Sequence, residues 1–358
     1  MPRLLFLISV DSDPDRPEYG GARYDIPNQL TWRDLTKFTT SFSTLRKELL
    51  ADNVDGLKIT WFLRCDDQLR IVHGDAAWSL KKFEPAWKRL IEEGDEMAWH
   101  PHAWRWSKQA GCWYNELTDM EYIVKMYEDG FNLFRETMGF APAATRAGMN
   151  YHTNKTIEKL DALGIRADLS AHPGLRVFYT RPQVGGYLKE GYDWERTGTV
   201  PYHPSRDDYQ VPGKQGDALK LIEIPVTTWR KTIYEAKFWR GLIPIKNRFQ
   251  IVRPIFKGWF IPCLWGDTHR LELAFNEALD QASLNGLAHF SSALHPDDVE
   301  GSNHARLRRN ITNVITLARQ RNVEVEFVTA SQACEAFCAD TPHTNQSADD
   351  NANVSGLL

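Results

Sequence analysis

The sequence has little cysteine. Five residues in 358, at Cys65, Cys112, Cys263, Cys334 and Cys338, show no CxxC and no zinc-knuckle spacing. An odd and scattered set excludes a disulfide-held scaffold and points to reduced thiols in a reducing compartment, with Cys334 and Cys338 expected as packing residues. Long apolar runs are lacking too. No stretch of about 20 apolar residues occurs, so no membrane-spanning helix is expected, and the opening MPRLLFLISVDSD is too short in its apolar part for a signal-peptide core. The expectation is a cytoplasmic chain that starts at its first strand. Nor is positive charge in excess: a formal net charge of −4 argues against a dedicated nucleic-acid binder.

What is present in quantity is apolar and aromatic material. The 42% hydrophobic content supplies core for a large domain. The thirteen tryptophans suit both core filling and stacking on the C–H faces of sugars.

Short apolar runs alternate with amphipathic segments. Residues 3–11, 57–63, 96–102, 143–148, 165–170, 219–227, 287–295 and 323–330 predict buried strands. Residues 35–50, 80–93, 118–138, 154–163, 270–284 and 303–321 carry helical period. Such alternation predicts a parallel α/β domain, either a barrel or an open doubly wound sheet. Two stretches break the rhythm. Residues 171–216, rich in Gly, Pro, Tyr and Arg, predict a long substrate loop or hairpin insertion. Residues 230–259 hold eight Lys or Arg against Glu235 alone, interleaved with Tyr234, Phe238, Trp239, Phe249, Phe256 and Trp259. The polar tail 341–358 is expected to be disordered.

In a parallel α/β sheet the reactive groups gather at the C-terminal ends of strands. Here the first predicted strand ends in Asp11-Ser12-Asp13, and the second runs into Arg64-Cys65-Asp66-Asp67. The third ends in His100-Pro101-His102, the fourth in Arg146-Ala147-Gly148, and 287–295 leads into His295-Pro296-Asp297-Asp298. Residues i and i+2 on a strand face the same way. One carboxylate of the Asp pair and the two imidazoles can therefore form an N/N/O set for a divalent metal, with positions left for water. The other carboxylate then suits a general base. Arg146 is suited to orient that carboxylate with its planar fork, and His295 to protonate a leaving amine.

This series resembles the polysaccharide deacetylase superfamily (NodB homology, carbohydrate esterase family 4), in that family's motif order over residues 3–335. The resemblance rests on Asp-x-Asp ending the first strand, the His motif after the third, TRAG before the helix ending in LDALGIRADLS, and LH closing a late strand. It implies a distorted (β/α)7-type barrel over residues 1–340, a single domain into which the loops 171–216 and 230–265 are inserted. The Asp-Ser-Asp form is similar to that of the deformylase branch acting on lipid-linked aminoarabinose, which assigns Asp11 as base and Asp13 as metal ligand. The family's second histidine falls at Trp104, so His102 takes its place and the ligands become Asp13, His100 and His102, with Zn²⁺ the expected ion. TRAG carries the base-positioning role to Arg146, and LH carries the general-acid role to His295. Asp193 of GYDWERT matches the Asp-Trp motif whose acid partners that histidine. Arg64, Asp66, Trp104 and Tyr202 are expected as substrate contacts.

The implied activity is a metal-dependent deacetylase or deformylase, hydrolysing the amide of an N-acyl amino sugar in polysaccharide or glycolipid synthesis. The sugar is free, nucleotide-linked or polyprenyl-phosphate-linked. The alternatives are a catalytically degenerate glycan-binding chain and an amidohydrolase acting on an allantoin-like amide. For residues 230–259 the readings are peripheral contact with an anionic inner-membrane face, a pyrophosphate site, a subunit interface, or a solvated helix face.

Overall fold

The computed structural model describes residues 1–15, 30–180, 189–214, 216–230, 259–299 and 302–340. The expectations for the basic aromatic stretch, apart from its stem at Trp229–Arg230 and Trp259–Phe260, and for the tail 341–358 lie outside the described residues.

A curled parallel sheet organises the chain, as the alternation predicts. Its strands are β1 (Arg3–Ser12), β2 (Ile59–Leu63), β3 (Glu96–Trp99), β4 (Ala144–Thr145), β5 (Ala167–Asp168), β6 (Ile222–Glu223), β7 (Leu287–Leu294) and β8 (Glu324–Phe327). The spatial order is β6-β5-β4-β3-β2-β1-β7. The strand β1 pairs with three others. Over Arg3–Val10 it pairs with β7, from Arg3↔Leu287 to Val10↔Leu294, while it pairs with β8 at Arg3–Phe6 and with β2 at Ile8–Ser12. This is the distorted (β/α)7 arrangement. Beyond β6 the stretch 225–228 turns back towards β7, where Thr227 N–H donates to Ser291 O at 2.9 Å.

A parallel strand covered on both faces reads as a continuous apolar run, and β1 is buried at every position after Arg3. Its alternation then separates two layers. Leu4, Phe6, Ile8 and Val10 pack into the core shared with the helices. Leu5 and Leu7 join Phe62, Ala98, Ala144, Ala167, Leu169, Ile222 and Ile224 in a second cluster, inside the curl. Because the strand period is two, Ser9, Asp11 and Asp13 continue the face of Leu5 and Leu7. They carry that inner layer to the open C-terminal mouth.

The flanking helices are α1 (Arg33–Ala51), α2 (Asp67–His73), α3 (Trp78–Lys82), α4 (Glu84–Glu92), α5 (Met120–Met138), α6 (Asn154–Leu163), α7 (Thr268–Asn285), α8 (Ser302–Gln320) and α9 (Ala330–Asp340). The predicted helix 80–93 is broken at Phe83. Pro85 lies in the first turn of α4, where its missing N–H costs nothing but its ring would clash inside a longer helix. The helix α9 closes the far end of the curl: Ala330 N–H donates to Thr60 Oγ1, Cys334 contacts Arg166 O, and Ala330, Ala333 and Cys334 belong to the inner cluster. Cys334 is buried as expected, whereas Cys338 is exposed. Among the described residues no helix is long and apolar enough to cross a membrane.

Candidate active site

The Asp-rich turn after β1 divides into two tasks. Asp15 caps α1, accepting from the backbone N–H groups of Arg33 and Asp34 at 3.0 Å each. Asp11 and Asp13 instead point into the mouth beside residues delivered by β2, β3 and β4. The register is continued past the strand ends by His100 N–H to Leu63 O (2.8 Å), Arg146 N–H to Trp99 O (3.1 Å) and Gly148 N–H to Pro101 O (2.7 Å). Those bonds set the histidine and arginine side chains at one height, and the β1–β2 register, Asp11↔Phe62 and Ser12↔Leu63, brings the aspartates level with them.

Asp13, His100 and His102 each offer a ligand atom within 4.8 Å of the others, all buried, and they are the one such group found among the described residues. The two Nε2 atoms are 3.0 Å apart. Asp13 Oδ1 is 3.5 Å from His102 Nε2, and Asp13 Oδ2 is 4.0 Å from His100 Nε2. Ligand bonds of about 2.0–2.1 Å in a tetrahedron place neighbouring donors roughly 3.3 Å apart, so this spacing fits a single small divalent ion. His100 Nδ1 is 2.6 Å from the Arg146 carbonyl oxygen, and a proton on Nδ1 leaves Nε2 as the lone-pair donor, the usual support of a metal-binding imidazole. His102 is held by packing. Its ring stacks on Trp104, with centroids 5.5 Å apart and planes 9° apart, and its Nδ1 is buried without a hydrogen-bond partner.

On the opposite side of His102 lies Gly148, and a Cβ there would overlap the imidazole. Burial and the nearby Arg64 charge push His102 down to about 3, against the pull of Asp13, so its lone pair is free for a metal. Asp13 is raised by burial, but His102, His100 and Arg64 hold it well below the usual carboxylate range. The donor set is therefore two imidazoles and one anionic carboxylate.

Asp11 stands beside this set and is gripped by Arg146. The guanidinium donates to Asp11 Oδ1 and Ser9 Oγ, each at 2.8 Å, and through Nε to Leu169 O at 2.9 Å. It also lies over the Phe62 ring, 4.6 Å from the centroid. Burial raises Asp11, and Arg146, His100 and His295 outweigh it, keeping the carboxyl below its ordinary value and ionised. His295 Nε2 lies 3.7 Å from Asp11 Oδ2. At 28% side-chain exposure, His295 is the member of the group that solvent reaches most readily.

The structure thus brings Asp11, Asp13, His100, His102, Arg146 and His295 together. Other expectations are corrected. Asp193 does not partner His295: its carboxylate pairs with Arg176 at 3.2 Å and accepts from Glu195 N–H. Besides Asp11 at Nε2, the acid facing His295 is Asp298 at Nδ1, whose Oδ2 is 3.7 Å from that nitrogen and accepts the His295 backbone N–H at 2.7 Å. Arg64 and Asp66 are not exposed contacts. Arg64 is buried between Asp13 Oδ1 (3.3 Å), Asp66 Oδ2 (2.7 Å) and Gln68, so it balances the charge of Asp13 from behind. Trp104 is buried against His102. Tyr202 is buried beside Glu223, its hydroxyl donating to Tyr209 O.

No protein-family model matches this sequence, and no curated protein does. Solved structures do. The chain aligns with a Mycobacterium smegmatis protein assigned as a polysaccharide deacetylase at a TM-score of 0.51 and 15% identity, over 94% of this chain and 91% of that one. A Parabacteroides distasonis protein assigned as a glycoside hydrolase or deacetylase gives 0.51 at 12% identity, over 94% and 72%. PuuE allantoinase gives 0.50 at 13% identity, over 96% and 92%. At such identities the likeness is one of fold.

Proposed function

We propose that this chain, whose fold is that of the polysaccharide deacetylases, is a metal-dependent amide hydrolase acting on an N-acyl amino sugar. One observation carries the reading: a three-donor metal set and an arginine-held carboxylate share one mouth, with a solvent-reached histidine on the far side of that carboxylate. Asp13, His100 and His102 would hold the ion, for which two imidazoles and a carboxylate favour Zn²⁺. Bound there, the ion supplies Lewis acidity towards water and the amide carbonyl.

The remaining work belongs to the side chains. Asp11, ionised and fixed by Arg146, takes a proton from the attacking water. Water adds to the carbonyl carbon, the C–N bond breaks, and His295 Nε2 delivers a proton to the departing nitrogen. The products are a carboxylic acid, which loses its proton to water at neutral pH, and an amine, and the proton on Asp11 returns to His295 or to solvent. Asp298 holds the His295 backbone and faces Nδ1, which orients the ring. Support for a sugar comes from the half-buried Trp106 on the two-stranded ribbon Trp104–Ser107/Cys112–Asn115, which follows His102 after one residue and carries Trp106 on the same face as Trp104. The fold likeness to an allantoinase favours a cyclic amide as the second reading.

The test is release of acetate or formate from N-acetyl and N-formyl amino sugars by zinc-loaded protein, with allantoin run in parallel. Sugar turnover that disappears in Asp11→Asn supports the proposal. Turnover of allantoin alone moves the chain to the second reading, and turnover of neither leaves a binding protein.

A further inference from the structure

Two buried carboxyls outside the site are direct neighbours. Asp168 on β5 and Glu223 on β6 are register partners on adjacent parallel strands. Their side chains therefore emerge next to each other on one face, opposite the inner face of Leu169 and Ile224, and both residues are wholly buried. Asp168 Oδ1 accepts from the Ser170 hydroxyl at 2.7 Å, and Glu223 Oε1 accepts from Ala171 N–H at 2.8 Å. The other two oxygens, Asp168 Oδ2 and Glu223 Oε2, are buried and have no hydrogen-bond donor. His152 Nε2 comes within 3.0 Å of Asp168 Oδ2 but off the bonding direction, being shared with Ser170 Oγ at 3.1 Å.

Two neighbouring carboxyls in a dry site do not both ionise. A proton on Glu223 Oε2, donated to Asp168 Oδ2, satisfies both orphaned oxygens at once. We propose that Glu223 and Asp168 share one proton at neutral pH, with Glu223 its holder, and that the pair positions Arg146. The route is short. Asp168 holds Ser170, whose Oγ accepts Ala147 N–H at 2.8 Å. Leu169 O, between them, accepts Arg146 Nε, and Arg146 O supports His100. Glu223 pins the next peptide, at Ala171. Both strand ends that fix the guanidinium are thus tied to the carboxyl pair.

Burial and the Asp168 charge push Glu223 well above the ordinary carboxyl range, against a downward pull from Arg146. Burial also raises Asp168, but His152, the Glu223 proton and Ser170 outweigh it and keep it ionised. The groups facing the pair are His152 and Tyr127 on the Asp168 side, and Tyr202 and Arg146 on the Glu223 side.

The positioning role rests on the hydrolase reading, while the shared proton does not. The closing experiment therefore compares wild type, Glu223→Gln and Asp168→Asn by infrared spectroscopy, backbone hydrogen exchange, pH-dependent melting and turnover. A protonated-carboxyl stretch is expected in wild type at about pH 8 and is lost in Glu223→Gln. The glutamine amide reproduces the donor, so exchange protection at Ala147 and Ala171 and kcat stay near wild type. In Asp168→Asn only one acceptor oxygen remains for the Ser170 hydroxyl, the Glu223 proton and His152; an amide that turns its oxygen to the Glu223 proton leaves Ser170 facing an N–H, so protection at Ala147 falls and kcat drops about tenfold or more with KM little changed. Between its ordinary and raised pKa, Glu223 binds a proton only in the folded chain, so wild-type stability falls as pH rises and the Tm of Glu223→Gln gains on it. Absence of the stretch in wild type, or its survival in Glu223→Gln, overturns the shared proton. Equal damage from the two amide variants overturns the positioning role. A chain that shows the stretch and the exchange pattern yet hydrolyses nothing contradicts the proposed function alone.

Discussion

Gly148→Ala probes the metal site with a single methyl group. An ideal Cβ at 148 would come under 3 Å from Nδ1, Cγ and Cε1 of His102, where relaxed contacts are about 3.5 Å or more. The Gly148 backbone lies outside the left-handed region, so alanine adds no conformational strain and the effect falls on the ring. Gly148 is also tied to Pro101 O at 2.7 Å, and Trp104 closes the other face of the imidazole. The ring must move by about 1 Å, whereas metal–ligand distances tolerate about 0.2 Å. Zinc affinity should fall about 100-fold or more, since even losing a supporting residue costs about 10–100-fold. Overpacking should cost the metal-free protein about 1–3 kcal/mol. Competition with a chromophoric chelator reads the first quantity and a metal-free denaturant melt reads the second. Wild-type zinc affinity in a variant that shows the packing loss would refute the assignment of His102.

Arg146→Lys keeps the charge but cannot serve Asp11, Ser9 and Leu169 together; kcat should fall about 100-fold with metal content unchanged, as read by turnover and metal analysis. His295→Ala should reduce turnover by about 10²–10⁴ and leave zinc affinity intact, because His295 is outside the donor set. Asp95 accepts from Ile59 N–H and Trp61 Nε1–H and pairs with Arg46 while fully buried. Its replacement by Asn should cost about 3–5 kcal/mol in a urea melt without altering zinc affinity. Burial pushes His289 down to about 4, so between pH 6.5 and 4 the unfolded chain binds a proton that the folded chain refuses. Stability should fall by about 3 kcal/mol as pH drops through that window, and His289→Gln should flatten the fall in pH-dependent melts.

Much of the fold is legible because a covered parallel strand announces itself: RLLFLISVD holds an unbroken run of five apolar residues, Leu4–Ile8, with Val10 beyond it, as β1 requires. The strand-end rule then located Asp11, Asp13, His100, His102, Arg146 and His295, since a parallel sheet leaves its loops at one end. What failed was the sorting of strand-end residues by exposure. Arg64 looks like a substrate contact until Asp13 and Asp66 are seen to bury it; Asp66 at i+2 was the available signal. Trp104 reads as a substrate contact because the two-stranded ribbon that it opens has no strong turn sequence, only SKQAG, so its burial against His102 is not visible along the chain. Asp298, three residues from His295, was within local reach, but the Asp-Trp pattern at Asp193 drew the assignment to a hairpin where Arg176 holds the carboxylate. Glu223, a lone acid in an apolar run, shows its partner only once strand register is known.

The central claim is that Asp13, His100 and His102 hold a divalent ion. Metal analysis of protein purified without added zinc, wild type against a His100→Ala/His102→Ala double variant, addresses it most directly. About one ion per chain in wild type and none in a folded double variant is the predicted result. A wild type that takes up no ion even when zinc is supplied, or a double variant that keeps it, would contradict the account.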